Sequence, residues 1–153
     1  MKMQFTYNIF LIGFMGSGKS TVADYLCEKF GMDVVEMDQV IAERERMSIS
    51  DIFEKHGELY FRDLETKLLV ELQEKTNTVV SCGGGVAMRE CNVTEMKKNG
   101  KVVLLTAKPE TILERVENNH DRPLLENNKT VAYIAELMEK RREKYEAAAD
   151  MII

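Results

Sequence analysis

The 153-residue sequence holds few cysteines and no long apolar run. Its three cysteines, Cys27, Cys82 and Cys91, are odd in number and show no C-x-x-C spacing, which favours reduced thiols over a disulfide framework. No apolar stretch approaches the length that spans a membrane, and the N-terminal residues MKMQFTYN lack the pattern of a signal peptide. We therefore expect a cytoplasmic protein without a membrane partner.

An excess of basic residues is also missing. The sequence has 21 lysines and arginines against 26 aspartates and glutamates, a formal net charge of −5. Broad binding to nucleic acid or to an anionic membrane needs a basic face, so neither partner is expected. Repeats, low-complexity segments and linkers are absent as well. The length then predicts one compact domain, residues 1–153, and we expect a monomer that binds small molecules.

Short apolar runs alternate with helical stretches along the chain. This alternation predicts an α/β fold with a mostly parallel five-stranded sheet that is covered by helices on both faces. In such sheets ligands bind at the carboxyl ends of the strands. The predicted strands are residues 8–12, 33–37, 78–81, 102–106 and 151–153.

Helix signals fill the intervals between these runs. Gly31 is placed to end the helix that follows the first strand, and Ser48 with Asp51 forms the pattern of a capping box. Gly57 divides two helices in the charged stretch that follows the second strand. Pro109 suits the first turn of a further helix, and a last helix is expected just before the final strand.

The stretch GFMGSGKST, residues 13–21, lies between the first predicted strand and a helix. Gly13, Gly18, Lys19 and Ser20 match the G-x-x-x-x-G-K-[ST] pattern of a phosphate-binding loop. Its glycines let backbone N–H groups turn towards phosphates, and the helix adds its positive N-terminal end. Lys19 can reach the β- and γ-phosphates, while the Ser20 hydroxyl can ligate Mg²⁺. A glycine turn with a surface lysine is the plainer alternative, and the strand–loop–helix context disfavours it.

Two carboxylates follow the second predicted strand. Asp38 stands just past its end, where an aspartate is either a helix cap or a group that acts on a metal or an acceptor hydroxyl. Glu36 precedes it by two residues, so the period of a strand would place both on one side. Two carboxylates near a phosphate loop make a functional role more plausible than one alone.

Glycines and arginines form the next candidates. Gly83, Gly84 and Gly85 directly follow the third strand, as a tight turn or as a loop that a ligand approaches closely. Arg141 lies in the apolar stripe of the last helix, where it either extends from the stripe to solvent or binds an anionic ligand. Arg62 is weaker evidence alone, because Glu65 could pair with it on a solvated face.

The segment ENNHDRPLLENNKT, residues 117–130, is polar and contains a proline, so we expect a loop at the phosphate edge. Arg122 within it is either an ordinary loop arginine or one that closes over the transferred phosphate, a recurrent need of phosphoryl transfer.

Taken together, these residues resemble the shikimate kinase family of small P-loop kinases. The resemblance covers nearly the whole chain and rests on GFMGSGKST, EMD, FRDLE, SCGGG, DRPLL and RREKY in the family's order. It implies a three-layer P-loop kinase fold with an acceptor-binding helical segment at residues 39–75 and a lid at residues 117–130. It also implies ATP and Mg²⁺ as cosubstrates and phosphoryl transfer to the 3-hydroxyl of shikimate, giving shikimate 3-phosphate and ADP in aromatic amino-acid biosynthesis.

The resemblance assigns the acceptor site residue by residue. Asp38 matches the aspartate that binds the hydroxyls of shikimate and is able to take the proton, which makes it catalytic. Arg62 of FRDLE and Arg141 of RREKY match the arginines that grip the shikimate carboxylate. Gly83, Gly84 and Gly85 match the backbone loop beside the acceptor.

The nucleotide site follows in the same way. Lys19 and Arg122 are expected to be catalytic, with Arg122 as the lid arginine that reaches ATP. Arg115 falls where the family packs an arginine against adenine. Glu36 would help to hold Mg²⁺ through water, together with Ser20. The nucleotide-binding residues implied are Gly13, Gly16, Ser17, Gly18, Lys19, Ser20, Thr21, Arg115 and Arg122.

The sequence departs from the family pattern at three places. Glu36 stands where the family usually has an aspartate, and Glu143 with Lys144 replaces a Pro-Leu pair after Arg141. Family chains also commonly continue past the last strand into a loop that contacts adenine. Two alternatives therefore stay open: another small-metabolite kinase of this architecture, such as a gluconate or nucleotide kinase, and a nucleotide-binding module that has lost catalysis.

Overall fold

The computed structural model describes residues 5–116 and 130–153. Its strands and α-helices alternate along most of this length, as the apolar runs predict. In chain order they are β1 (Asn8–Ile12), α1 (Lys19–Phe30), β2 (Asp33–Glu36), α2 (Met37–Glu45), α3 (Ile49–His56), α4 (Glu58–Glu71), β3 (Thr78–Ser81), α5 (Glu90–Lys98), β4 (Gly100–Leu104), α6 (Pro109–Val116), α7 (Val131–Ala148) and β5 (Met151–Ile152). Two 3₁₀ turns, Leu72–Glu74 and Val86–Met88, follow α4 and precede α5.

The five strands form one sheet in the order β2-β3-β1-β4-β5, and every strand pair is parallel. β1 is the central strand: Phe10 pairs with Val80 of β3 on one side and with Val102 of β4 on the other. The carboxyl ends of β1, β2 and β3 therefore lie at one edge of the sheet, which is where ligands bind in open parallel sheets.

Helices cover both faces of the sheet because the side chains of a strand alternate between its faces. Leu11 of β1 packs with Ala23 of α1 on one face. Its neighbour Phe10 belongs to the larger core on the other face, together with Leu69 of α4 and Ala148 of α7. The prediction of a parallel five-stranded sheet between two helical layers is confirmed.

The bounds of three strands differ from the sequence prediction. β5 ends at Ile152 and not at residue 153. β2 ends at Glu36, because Met37 already begins α2. β4 begins at Gly100, which pairs with Asn8 in β1, and it ends at Leu104. A Cβ on Gly100 would clash with the ring of Phe10, so this strand residue has to be a glycine although the type usually indicates a turn.

The predicted helix ends agree with the structure. Gly31 ends α1 with a φ of 71°, in the left-handed conformation of a helix C-cap. Ser48 caps α3, and its side chain accepts a hydrogen bond from the Asp51 N–H. Gly57 separates α3 from α4, and Pro109 is the first residue of α6.

Candidate active site

A cavity of about 550 Å³ opens at the carboxyl edge of the sheet. The loops after β1 and β3 form much of its wall, together with the junction between β2 and α2 and one side chain from α6. It is lined by Met15, Gly16, Gly18, Lys19, Ser20, Thr21, Glu36, Asp38, Gln39, Ser81, Cys82, Gly83, Gly84 and Arg115.

The loop between β1 and α1 has a backbone conformation that requires glycine at two positions. Gly13 and Gly18 have φ angles of 144° and 101°, which residues with a side chain rarely adopt. A Cβ on Gly13 would also lie 2.5 Å from the carbonyl oxygen of Leu105. The loop closes on itself through a hydrogen bond from the Ser17 N–H to the Phe14 carbonyl (3.1 Å). A glycine loop in this conformation at the start of a helix is suited to binding phosphate.

Two cations of the predicted nucleotide site lie on this loop. Lys19 is 9% exposed, and its Nζ donates to the carbonyl oxygens of Gly13 (2.9 Å) and Phe14 (3.1 Å). Arg115 reaches from α6 and donates from Nη1 to the Gly16 carbonyl oxygen (2.6 Å). The loop carbonyls therefore hold both side chains at the cavity wall, where negative charge on a phosphate would attract them.

Glu36 and Asp38 both line the cavity, although the reason given from the sequence is wrong. The period of two residues applies within a strand, whereas Asp38 lies in the first turn of α2. Glu36 precedes that helix and makes no side-chain cap bond. The two carboxylates come together because the chain changes from strand to helix between them.

The three glycines after β3 leave room for charged side chains that lie against the loop. A Cβ on Gly83 would lie 2.8 Å from Oε2 of Glu65 and 2.9 Å from Oδ1 of Asp38, and one on Gly84 would lie 3.1 Å from Nη1 of Arg141. A Cβ on Gly85 would overlap the guanidinium of Arg62, 2.6 Å from its Cζ. Charged groups of the protein itself therefore approach this loop closely, and the approach of a ligand stays a prediction.

Arg62 is held by two carboxylates of α4. Its Nη1 lies 2.9 Å from Oε1 of Glu65, and its Nη2 lies 3.1 Å from Oε2 of Glu58. The guanidinium also lies over the ring of Phe61, with 5.3 Å from Cζ to the ring centroid. These contacts place the guanidinium against Gly85 and leave only 14% of the side chain exposed.

The burial of Glu65 differs from what the sequence indicates. The pairing with Arg62 is confirmed, but the pair does not lie on a solvated face, because Glu65 is fully buried. Its Oε2 has no hydrogen-bond partner within residues 5–116 and 130–153. Burial raises the pKa of this carboxyl to about 7, against the opposing effect of the Arg62 guanidinium. The spacing of three residues between Arg62 and Glu65 indicated that the two could pair, and it did not indicate that the pair is buried.

Arg141 approaches the neighbouring glycine of the loop, Gly84, from α7. It is 7% exposed and lies over the ring of Phe14, 5.5 Å from the ring centroid. In the described part of the chain it forms no ion pair with a carboxylate, and its Nη1 makes a long hydrogen bond to the Tyr145 hydroxyl (3.5 Å). A buried guanidinium of this kind is suited to an anionic ligand.

Helix α7 runs without interruption through the pair that replaces Pro-Leu in the family pattern. Glu143 and Lys144 are both helical. Lys144 donates from Nζ to the carbonyl oxygen of Met88 (3.2 Å), which ties α7 to the 3₁₀ turn after the glycine loop. Arg141 keeps its buried position on this continuous helix.

The remaining predicted residues fall outside the cavity wall or outside the described chain. Gly13, Ser17, Arg62, Gly85 and Arg141 do not line the cavity. Gly13 accepts a hydrogen bond from Lys19, and Arg141 lies against Gly84, so both contact residues that line it, whereas Arg62 lies against Gly85. Arg122 and the predicted lid lie outside the described residues, except for Thr130, whose side chain caps α7 by accepting from the Tyr133 N–H.

The three cysteines all lie within the described residues. All three cysteines are free, and burial raises the pKa of the Cys82 thiol at the base of the cavity. Within residues 5–116 and 130–153, no group of three or more histidine, cysteine, aspartate and glutamate side chains is placed to hold a metal ion. None of the described helices has both the length and the apolar character that crossing a membrane requires.

Comparisons with known proteins agree with this geometry. The family model for shikimate kinase matches residues 15–153. A shikimate kinase of Sulfurihydrogenibium sp. (strain YO3AOP1) is 47% identical over 141 residues, which are 92% of this chain and 84% of the relative.

Solved structures give the same result. The shikimate kinase from Acinetobacter baumannii in complex with shikimate superposes with a TM-score of 0.91 at 35% identity, over 96% of this chain and 82% of that one. The shikimate kinase from Aquifex aeolicus has a TM-score of 0.80 at 41% identity, over 95% of this chain and 85% of that one.

Proposed function

The chain belongs to the shikimate kinase family, whose activity is the phosphorylation of shikimate with ATP, and we propose that it transfers the γ-phosphoryl group to the 3-hydroxyl of shikimate with the help of Mg²⁺. The product is then shikimate 3-phosphate. Free thiols support a cytoplasmic location.

The loop 13–21 binds the phosphates of ATP in this proposal. Lys19 leaves its carbonyl partners in the loop to contact the β- and γ-phosphates, and Arg115 packs against the adenine beside Gly16. Arg122 of the DRPLL motif is assigned to the transferred phosphate by the family pattern alone. The backbone N–H groups of Gly16, Gly18, Ser20 and Thr21 complete the phosphate cradle, and Ser17 shapes it through its N–H bond to the Phe14 carbonyl.

The residues present fit a magnesium ion that is bound together with ATP. The Ser20 hydroxyl and the carboxylates of Glu36 and Asp38 line the same cavity. Mg²⁺ commonly takes one or two protein oxygens and fills its other positions with phosphate oxygens and water. Ser20 would then be a direct ligand, and Glu36 would act through a bound water. The ion supplies neutralising charge to the β- and γ-phosphates.

In this proposal the acceptor lies beside the glycine loop, between Asp38 and the two arginines. Arg62 and Arg141 approach this loop from α4 and α7, beside Gly85 and Gly84 respectively. Two guanidinium groups that converge in this way suit a carboxylate, because charge-assisted hydrogen bonds to it can form from both sides. Asp38 lies at the other end of the loop, where the hydroxyls of the same small acid can reach it.

The chemical step needs positioning more than covalent chemistry. Asp38 orients the 3-hydroxyl and accepts its proton as the oxygen forms a bond to the γ-phosphorus. The bond from that phosphorus to the bridging oxygen of ADP then breaks, and Lys19 and Arg122 stabilise the charge that develops on the phosphoryl oxygens.

The observation that carries the proposal is the arrangement around the glycine loop, with a carboxylate at Gly83 and guanidinium groups at Gly84 and Gly85. A nucleoside acceptor has no carboxylate for these arginines, and gluconokinase activity is not favoured because the family matched is that of shikimate kinase. Lys19, Ser20 and Asp38 are retained, which argues against a module without catalysis.

The test is a coupled assay of ADP release with shikimate, gluconate or a nucleoside monophosphate as the acceptor. We expect turnover with shikimate alone. Arg141→Met should raise KM for shikimate strongly, whereas Arg142→Met, which changes the exposed neighbour on α7, should leave it unchanged. Turnover with gluconate that matches turnover with shikimate would contradict the proposal.

A further inference from the structure

Tyr145 of α7 is hydrogen-bonded to the backbone of the glycine loop. Its hydroxyl donates to the carbonyl oxygen of Gly84, and the same hydroxyl accepts the long hydrogen bond from Nη1 of Arg141. Tyr145 therefore connects the loop directly to one of the arginines that the proposed function assigns to the acceptor.

The bond to Gly84 completes the anchoring of the loop. The Gly83 carbonyl accepts from the Val86 N–H, and the Gly85 carbonyl accepts from the Met88 N–H (both 3.1 Å). The N–H groups of the three glycines make no backbone hydrogen bonds within residues 5–116 and 130–153. All three carbonyls are thus held by the protein, while the N–H groups stay available to a ligand.

The orientation of one peptide group depends on Tyr145 in particular. The Gly84 carbonyl and the Gly85 N–H belong to the same trans peptide unit, so they point in opposite directions. Fixing the carbonyl towards Tyr145 also fixes the direction of the Gly85 N–H. The same bond also holds Gly85 in place against Arg62. The two are in close contact, since no space is left for a Cβ between Gly85 and the guanidinium.

The ring of Tyr145 is buried in apolar surroundings, and its hydroxyl makes the polar contacts of the side chain. The side chain is 5% exposed, and it lines a second, mainly apolar cavity of about 380 Å³ together with Phe14 and Leu104. Burial raises the pKa of the phenol, which keeps its proton for donation to Gly84. Phenylalanine at this position would preserve the buried ring and remove only the hydrogen bonds.

We propose that Tyr145 is a positioning residue for recognition of the acceptor carboxylate: it fixes the Gly84 peptide and the Arg141 guanidinium relative to each other, and through Gly85 it sets the distance to Arg62. The inference rests on the proposed function, in which both arginines bind that carboxylate. It assigns Tyr145 no contact with ATP and no part in the chemical step.

The test compares Tyr145→Phe with wild type, using shikimate and its methyl ester as acceptors. Loss of the hydroxyl should raise KM for shikimate about tenfold, with KM for ATP and kcat changed by no more than about twofold. KM for the ester, which lacks the anionic carboxylate, should hardly change. The preference for acid over ester should therefore fall. Tyr25→Phe, at an exposed position of α1, is the matched control and should behave as wild type.

Each other outcome is decisive. If wild type itself does not distinguish acid from ester, the proposed carboxylate site is wrong, and this inference falls with it. If wild type distinguishes them and Tyr145→Phe keeps the full preference, the site stands and the role of Tyr145 is wrong. Equal increases in KM for both acceptors and for ATP, or a variant that no longer folds, would show a general structural role and overturn the proposal.

Discussion

Arg62 and Glu65 lie one turn apart on α4 and form an ion pair of 2.9 Å in which the carboxylate is fully buried. A buried carboxylate loses its hydration, and the pair compensates for this loss only in part, since the pKa of Glu65 is raised to about 7. The proposed acceptor site is therefore supported by a carboxyl group whose charge changes near neutral pH.

Replacing Glu65 by glutamine should alter how stability depends on pH. A carboxyl with a pKa of 4.5 in the unfolded chain and about 7 in the folded protein binds more protons when folded. Its contribution to stability is complete below pH 4.5 and is lost as the pH rises to about 7. Glu65→Gln removes this loss, at most about 1.4 kcal/mol per pH unit.

Urea unfolding at several pH values measures the effect. The free energy of unfolding of Glu65→Gln, minus that of wild type, should increase between pH 4.5 and about 7 and then level off. Parallel profiles for the two proteins would mean that the carboxyl does not change its pKa on folding.

The two arginines should differ in their effect on stability. Arg62→Met leaves Glu65 buried without its main partner and should lower the free energy of unfolding by about 3 kcal/mol. Arg141 forms no ion pair with a carboxylate in the described chain, so Arg141→Met should stay within about 1 kcal/mol of wild type. Urea unfolding checks both, with exposed Arg142→Met as the control. Equal losses at the two sites would contradict this difference in partners.

Gly85→Ala should weaken shikimate binding through Arg62. The φ of Gly85 is −97°, which alanine adopts without strain, so the new Cβ acts only by displacing the guanidinium. We expect KM for shikimate to rise about tenfold and KM for ATP to stay unchanged. The double variant with Arg62→Met should be no worse than Arg62→Met alone, because both changes remove the same contact. If the two substitutions raised KM for shikimate additively, Gly85→Ala would act through a contact other than that with Arg62.

The phosphate loop was predictable from the sequence because its signal is local. Gly13 and Gly18 are required by the backbone itself, and the neighbouring strand and helix are contiguous with the loop. The parallel sheet was predictable for a similar reason, since β1 and β3 are short apolar runs.

The support of the acceptor site was not predictable in this way. Whether Glu65 faces solvent or the core depends on how α4 packs against the glycine loop, and spacing along one helix does not contain that information. The bond from Tyr145 to Gly84 joins residues 61 positions apart, so the pattern of α7 alone could indicate only that Tyr145 is buried. The end of β2 at Glu36 was missed because the apolar Met37 follows Val34 and Val35, and no glycine or proline separates β2 from α2.

Glu36 and Asp38 should separate the role of the metal from that of the acceptor hydroxyl. Both line the cavity, from either side of the junction between β2 and α2. Asp38 lies beside Gly83 at the acceptor end, so Asp38→Asn removes the charge and the base while it keeps the shape. A positioned base contributes roughly 10²–10⁴-fold, and we expect kcat to fall within that range with KM for ATP nearly unchanged.

In our proposal Glu36 does not bind Mg²⁺ directly and acts on the ion through a bound water molecule. Glu36→Gln should therefore lower kcat less than Asp38→Asn does, and a higher Mg²⁺ concentration should restore part of the loss by mass action. No Mg²⁺ concentration should restore Asp38→Asn, because the group it lacks contacts the hydroxyl and not the ion. The measurement is the Mg²⁺ dependence of kcat for both variants and wild type. Rescue of Asp38→Asn by the metal, with none for Glu36→Gln, would mean that the two carboxylates have the opposite roles.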